Sequence, residues 1–158
     1  MLLSSIVDLL HKKLGDRIEN YLIPPPVFIT MQGEFLDFDL EKGSLTTRFP
    51  VLKENLNPYG SMQGGMVAAA VDNTFGPLSM LVASENVTRR LEVKYSRPIT
   101  LDLEHIIVEA RLLERKGRRL IFSADVRNAS GELMARARAL HWIVEGESPT
   151  SASFSGSE

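Results

Sequence analysis

Two features of the chain could do chemistry: the run Gly60-Ser61-Met62-Gln63-Gly64-Gly65 and, eight positions beyond Gly64, the carboxylate Asp72. The glycines open a nearly charge-free stretch, 65–84, and so read as the start of a buried helix. Unpaired backbone N–H groups and the positive end of the helix dipole would there meet an oxygen that gains negative charge. Glycine leaves room for close approach; equally, it can simply serve a tight loop entering a crowded helix, and the glycines alone do not separate these readings. No Lys-Ser/Thr pair follows, which excludes a phosphate-binding P-loop, and Gly-Ser-Met-Gln-Gly is not a Gly-x-Ser-x-Gly elbow.

Asp72 is the sole charge in that stretch. An Asp in an apolar helix finds hydrogen-bond donors, faces an interface, or sits in a site as base or nucleophile. At the α-helical rise, Gly64 and Asp72 stand about 12 Å apart, too far to share one scissile carbonyl within a chain. Two such helices, antiparallel across a two-fold axis, would bring the start of one to the middle of the other and give two composite sites per dimer. The spacing therefore predicts a homo-oligomer as the active unit.

These residues need a frame. Residues 2–22 place Leu3, Ile6, Leu10, Leu14, Ile18 and Leu22 at three-to-four spacing, predicting an amphipathic helix that Pro24-Pro25-Pro26 stops. Its polar face mixes acids and bases, which suits packing on its own domain rather than on a membrane. Residues 27–51 read as a hairpin, with Phe28, Ile29 and Phe35 in the first strand and a turn at 41–44. Pro77 predicts a kink or break in the buried helix. Four strands follow: 87–97, with Val87, Leu91, Val93 and Tyr95 on one face and Thr88, Arg90 and Glu92 on the other; 101–114, with a bulge near 105–107; 118–128; and 133–144. The order implies an α+β domain: about six antiparallel strands wrapped around a central helix, with an extra N-terminal helix. The expected division is residues 1–26 as helix and Pro-rich link, 27–145 as the domain, and 146–158 as a disordered Ser/Gly-rich tail.

The run from Asn57 through Gln63-Gly64-Gly65 to Asp72, followed by Val87-Thr88 to Tyr95-Ser96-Arg97-Pro98, resembles the hotdog-fold acyl-CoA thioesterases of the phenylacetate-degradation and 4-hydroxybenzoyl-CoA thioesterase type. The likeness covers roughly residues 30–145. In that family a helix-initiating His-Gly-Gly is followed by an Asp or Glu eight residues after the first Gly, and preceded by an Asn seven residues before it; both offsets hold here. The resemblance implies hydrolysis of an acyl-CoA thioester. Gly64 would polarise the thioester carbonyl, Asp72 of the neighbouring subunit would act as general base or nucleophile, and Asn57 would orient the water or the carboxylate. Thr88 matches a hydroxyl position that can assist the water, and Gly65 belongs to the same substrate-binding loop.

The family's usual His is Gln63 here. An amide also offers a donor and an acceptor, so it can replace a His that only orients the loop, though not one that carries a proton. The alternative reading is therefore an acyl-CoA-binding hotdog protein with little or no turnover. A hotdog hydratase with an Asp/His pair fits less well, because the three His lie at 11, 105 and 141.

With 18 basic and 20 acidic side chains the net charge is −2, which gives no reason to expect nucleic acid or a membrane surface as partner. Within 87–138 the bases outnumber the acids, and Arg89 and Arg90 are candidates for the phosphates of coenzyme A. The absence of Cys removes disulfides and thiolate chemistry, and the spacing of the His residues suits no metal site. No cofactor is expected beyond the coenzyme A carried by the substrate. With neither signal peptide nor transmembrane span in the N-terminal pattern, the expected location is cytoplasmic.

Overall fold

The computed structural model describes residues 2–144, and its first element already departs from the sequence pattern. Helix α1 (Leu2–Leu14) buries Ile6 and Leu10, four residues apart on one face. It stops at Leu14, short of the prolines, because Gly15 adopts φ +56, a left-handed conformation that costs glycine nothing; a 3-10 turn (Gly15–Asn20) follows. Lys13 at the end of α1 donates its ammonium to the carbonyl of Met80 (2.6 Å) and to that of Ala83, closing the end of the central helix.

Phe28 and Ile29, expected in a strand, lie on a short helix α2 (Pro26–Thr30). Pro26 occupies its first position, where the missing N–H is not needed and the fixed φ already suits a helix. Phe28 is fully buried, stacked on Phe35 at 4.7 Å and edge-on to Phe49 at 5.6 Å. Gly33 lies against these rings: a Cβ there would come within 2.7 Å of both Phe28 and Phe49, so any larger residue would push the aromatic cluster apart.

Strands β1 (Glu34–Asp39), β2 (Ser44–Pro50), β3 (Asn86–Tyr95), β4 (His105–Lys116), β5 (Arg119–Arg127) and β6 (Leu133–Ile143) form one antiparallel sheet in the order β1-β2-β4-β5-β6-β3. Alternate residues enter the core, as with Leu45, Thr47 and Phe49 on β2 and Leu120, Phe122, Ala124 and Val126 on β5. The bulge in β4 lies between Leu112 and Glu114, not near His105, where the chain instead turns into the strand through Glu104 at φ 63.

The sheet packs around α3 (Gly64–Val82), whose 19 residues run unbroken through Pro77. A proline inside a helix costs about 3 kcal/mol or more. Enclosure offsets this: Phe75 and Leu78, on either side of the proline, are completely buried. Thr74, also buried, bonds to Ala70 O at 2.9 Å and meets Thr47 Oγ1 at 2.7 Å, which fastens α3 to β2 with its polar atoms satisfied. The result is the hotdog arrangement, a six-stranded antiparallel sheet around a central helix with an added N-terminal helix. Because β3 is an edge strand, the row of N–H and C=O groups on its outer side meets no other strand among the described residues. Among the described residues no helix is long and apolar enough to cross a membrane. The expected disordered tail, 146–158, lies outside them.

Candidate active site

The start of α3 is built from its flanking loop. Gln63 donates its N–H to Asn55 O (2.8 Å), and its carbonyl accepts from the amides of Met66 (2.8 Å) and Val67 (3.1 Å). Its side chain is exposed and makes no capping bond, so the amides of Gly64 and Gly65, which have no helical carbonyl to donate to, receive no side-chain cap among the described residues. Asn57 turns its Oδ1 onto its own loop, accepting from the amides of Tyr59 (2.9 Å) and Ser61 (3.1 Å). Its Nδ2 has no hydrogen bond among the described residues. From β3, the Tyr95 hydroxyl donates to Gly64 O at 2.6 Å and pins the helix start. Burial holds that phenol above its ordinary pKa, which keeps it a donor.

Asp72 lies on the face of α3 that the sheet leaves open, and it is exposed. Its Oδ1 accepts from Thr88 Oγ1 at 3.3 Å. Simple alternation would put Thr88 on the solvent face with Arg90. The register instead shifts between Thr88 and Arg90, so Thr88 pairs with His141 and faces inward, as Leu91, Val93 and Tyr95 do. That one extra residue is what aims the hydroxyl at Asp72.

Behind Thr88 stands a group the sequence pattern did not single out. His141, almost fully buried on β6, places Nε2 3.4 Å from Thr88 Oγ1 and Nδ1 2.8 Å from Asn86 Oδ1. Asn86 spends its Nδ2 on Ser84 O (2.9 Å) and Ser79 O (3.4 Å), so its Oδ1 is an acceptor. His141 therefore carries its proton on Nδ1 and leaves Nε2 facing Thr88. Strand parity is the signal that could have found it, since position 141 continues the inward series Ala135, Ala137, Ala139.

Burial lowers the His141 pKa, and the charge of Asp72 pulls it back only in part. An unfolded chain therefore takes up this proton before the native one does, and stability falls as pH drops from the ordinary His value through the lower native one. We expect the urea midpoint to decline between about pH 7 and pH 5. The decline should be shallower in His141→Gln, which chemical denaturation at a series of pH values would show.

The two candidate phosphate ligands are not brought to this face. Arg90 points to the outer surface of the sheet and pairs with Glu92 at 2.6 Å, while Arg89, the bulged residue, sits over the Trp142 ring at 5.9 Å. Gly64, Gly65 and Gln63 stand at one end of the open side, near Asn57; Asp72 and Thr88 stand together about two turns along α3.

Comparison with known proteins bears on this arrangement. A model of the thioesterase superfamily matches residues 59–135. Human acyl-coenzyme A thioesterase 13 is 32% identical over 100 residues, which span 61% of this chain and 70% of that protein. A phenylacetic acid degradation-related protein from Ralstonia eutropha JMP134 has the same fold, with a TM-score of 0.73 and 25% identity over 85% of this chain and 99% of that one. A Streptococcus pneumoniae TIGR4 protein whose structure contains coenzyme A shares the fold at a TM-score of 0.66 and 17% identity, over 71% of this chain and 85% of that one. Since the matched span runs from the glycine loop through α3 and the Thr88 bulge into β6, the chain belongs to the thioesterase superfamily and is a thioester hydrolase.

Proposed function

We propose that the chain hydrolyses acyl-CoA thioesters to a free acid and coenzyme A, in sites each shared by two subunits. The observation that carries this reading is the placement of Asp72: exposed, bonded to Thr88, and on the open side of α3 next to the unpaired edge of β3. Pairing of two β3 edges would set two α3 helices side by side and bring the helix start of one subunit to Asp72 of the other. The relative named for acyl-coenzyme A supports coenzyme A as the thiol carrier.

In this site the thioester oxygen rests on the Gly64 amide, where the helix dipole also favours the charge that develops. As general base, Asp72 takes a proton from water held by Thr88; the hydroxide adds to the carbonyl carbon, the C–S bond breaks, and the thiolate recovers that proton. As nucleophile, the Asp72 carboxylate displaces the thiolate to form a mixed anhydride, which water then opens. Asn57 Nδ2 serves as the orienting donor. The reaction needs no cofactor, and the subunits assemble as a dimer or a dimer of dimers, in the cytoplasm.

The test is thiol release from a panel of acyl-CoA substrates. Because the chain has no Cys, a thiol reagent reads coenzyme A alone. Steady release with at least one substrate is the expected result. Binding across the panel without release would replace hydrolysis by the binding reading that Gln63 raises.

A further inference from the structure

A cavity of about 190 Å³ opens beside Asp72 on the side facing away from the helix start. Its roof is α1, through Leu3, Ile6, Val7 and Leu10; its side is the strap Tyr21 to Pro25; its floor is α3, through Asn73, Gly76, Pro77 and Met80. The wall is almost entirely carbon. Its other polar side chains are already engaged, the Tyr21 hydroxyl with Glu85 Oε1 (2.9 Å) and the Asn73 amide with Ala69 O (2.9 Å). Among the described residues the lining holds no Lys, Arg or His, and its one charge is Asp72.

We propose that this cavity seats the acyl group, and that it selects an uncharged hydrocarbon of medium size. The inference rests on the thioester reading, because it uses Asp72 as the fixed point: a carbonyl attacked at Asp72 places its acyl substituent in the adjoining space. An acyl group ending in a second carboxylate finds no cation there and meets the charge of Asp72. A 150 Å³ apolar cavity accommodates benzene, so this one fits about seven or eight carbons, as an aliphatic chain or a ring. Helix α1 is thereby a specificity element, held in place by Lys13 on the end of α3.

Gly76 gives the means of testing it. It lies on the floor one turn beyond Asp72, and a Cβ built there meets nothing within 4 Å. Gly76→Leu therefore fills the cavity without backbone strain. Each methylene seated in the cavity is worth about fourfold in kcat/KM. The wild type should prefer octanoyl-CoA and phenylacetyl-CoA to acetyl-CoA, and reject succinyl-CoA; the first two distinguish a chain from a ring. In Gly76→Leu the octanoyl-to-acetyl ratio of kcat/KM should fall about tenfold or more, with folding checked separately by the thermal unfolding midpoint. An unchanged ratio, equal loss on both substrates, or wild-type preference for succinyl-CoA overturns the assignment. If the wild type hydrolyses no acyl-CoA at all, the thioester reading fails instead. Calorimetric binding then decides the cavity on its own: Gly76→Leu should weaken octanoyl-CoA and spare acetyl-CoA, and equal affinities would refute it.

Discussion

Asp72→Asn is expected to lower kcat on acyl-CoA by about 10²–10⁴-fold, the range of a lost general base or nucleophile. The substitution removes the charge and the basic oxygen but keeps a side-chain oxygen where Thr88 donates. Asp72 is exposed, so the unfolding free energy should change by no more than about 0.5 kcal/mol. Both kcat and kcat/KM should fall, because the lost interaction forms in the transition state rather than in the ground state. Stopped-flow thiol release gives the rate, and calorimetric titration with the same substrate gives the binding. Loss of binding in parallel with rate would make Asp72 a docking residue, and an unchanged rate would remove it from the reaction. Turnover in ¹⁸O-water adds the finer distinction, since label appearing in the Asp72 carboxylate identifies it as the nucleophile.

The parts of this site that the sequence announced are those written in local patterns. A single carboxylate in a charge-free helix is visible in any window, as is the glycine run before it. The α+β order of helices and antiparallel strands follows from alternation, because most inward positions recur every second residue. What the pattern concealed depends on single residues that break a period. Gly15 ends α1 although Ile18 and Leu22 continue the apolar spacing, because backbone conformation outranks the stripe. Pro26-Val27-Phe28-Ile29-Thr30 is too short to show a helical period, and its β-branched residues read as strand; the proline at the first position was the only cue to α2. The extra residue at Arg89 cannot be seen in Val87-Thr88-Arg89-Arg90, where either phase is plausible. The line Asp72, Thr88, His141, Asn86 exists only once the β3 to β6 register is fixed. The acyl cavity is a further step removed, since it forms where α1 and the proline strap, distant in sequence from Asp72, fold over α3.

The second large effect is expected from Gly64→Pro, because the backbone at that position permits the one substitution that deletes an amide. Gly64 is the first residue of α3, where proline is favoured, and Gln63 before it has φ −58 and ψ 139, the conformation a residue preceding proline adopts. The cost is a Cβ 3.2 Å from the Tyr95 hydroxyl, so Gly64→Ala, which adds the same atom and keeps the N–H, is the reference. Relative to Gly64→Ala, the proline variant should lose about 10²–10³-fold in kcat, the usual value of one oxyanion donor. Combined with Asp72→Asn, it also tests where the two halves of the site come from. In a dimer of one Gly64→Pro chain and one Asp72→Asn chain, a site shared between subunits pairs both lesions in one site and leaves the other intact. Purified through two different tags, such mixed dimers should recover about half the wild-type rate. A site contained within one chain would carry a lesion in each copy, and mixing would restore nothing. The distance along α3 is the ground for expecting the first outcome: with about 12 Å between Gly64 and Asp72 of one helix, a carbonyl held at the first is out of reach of the second within one chain.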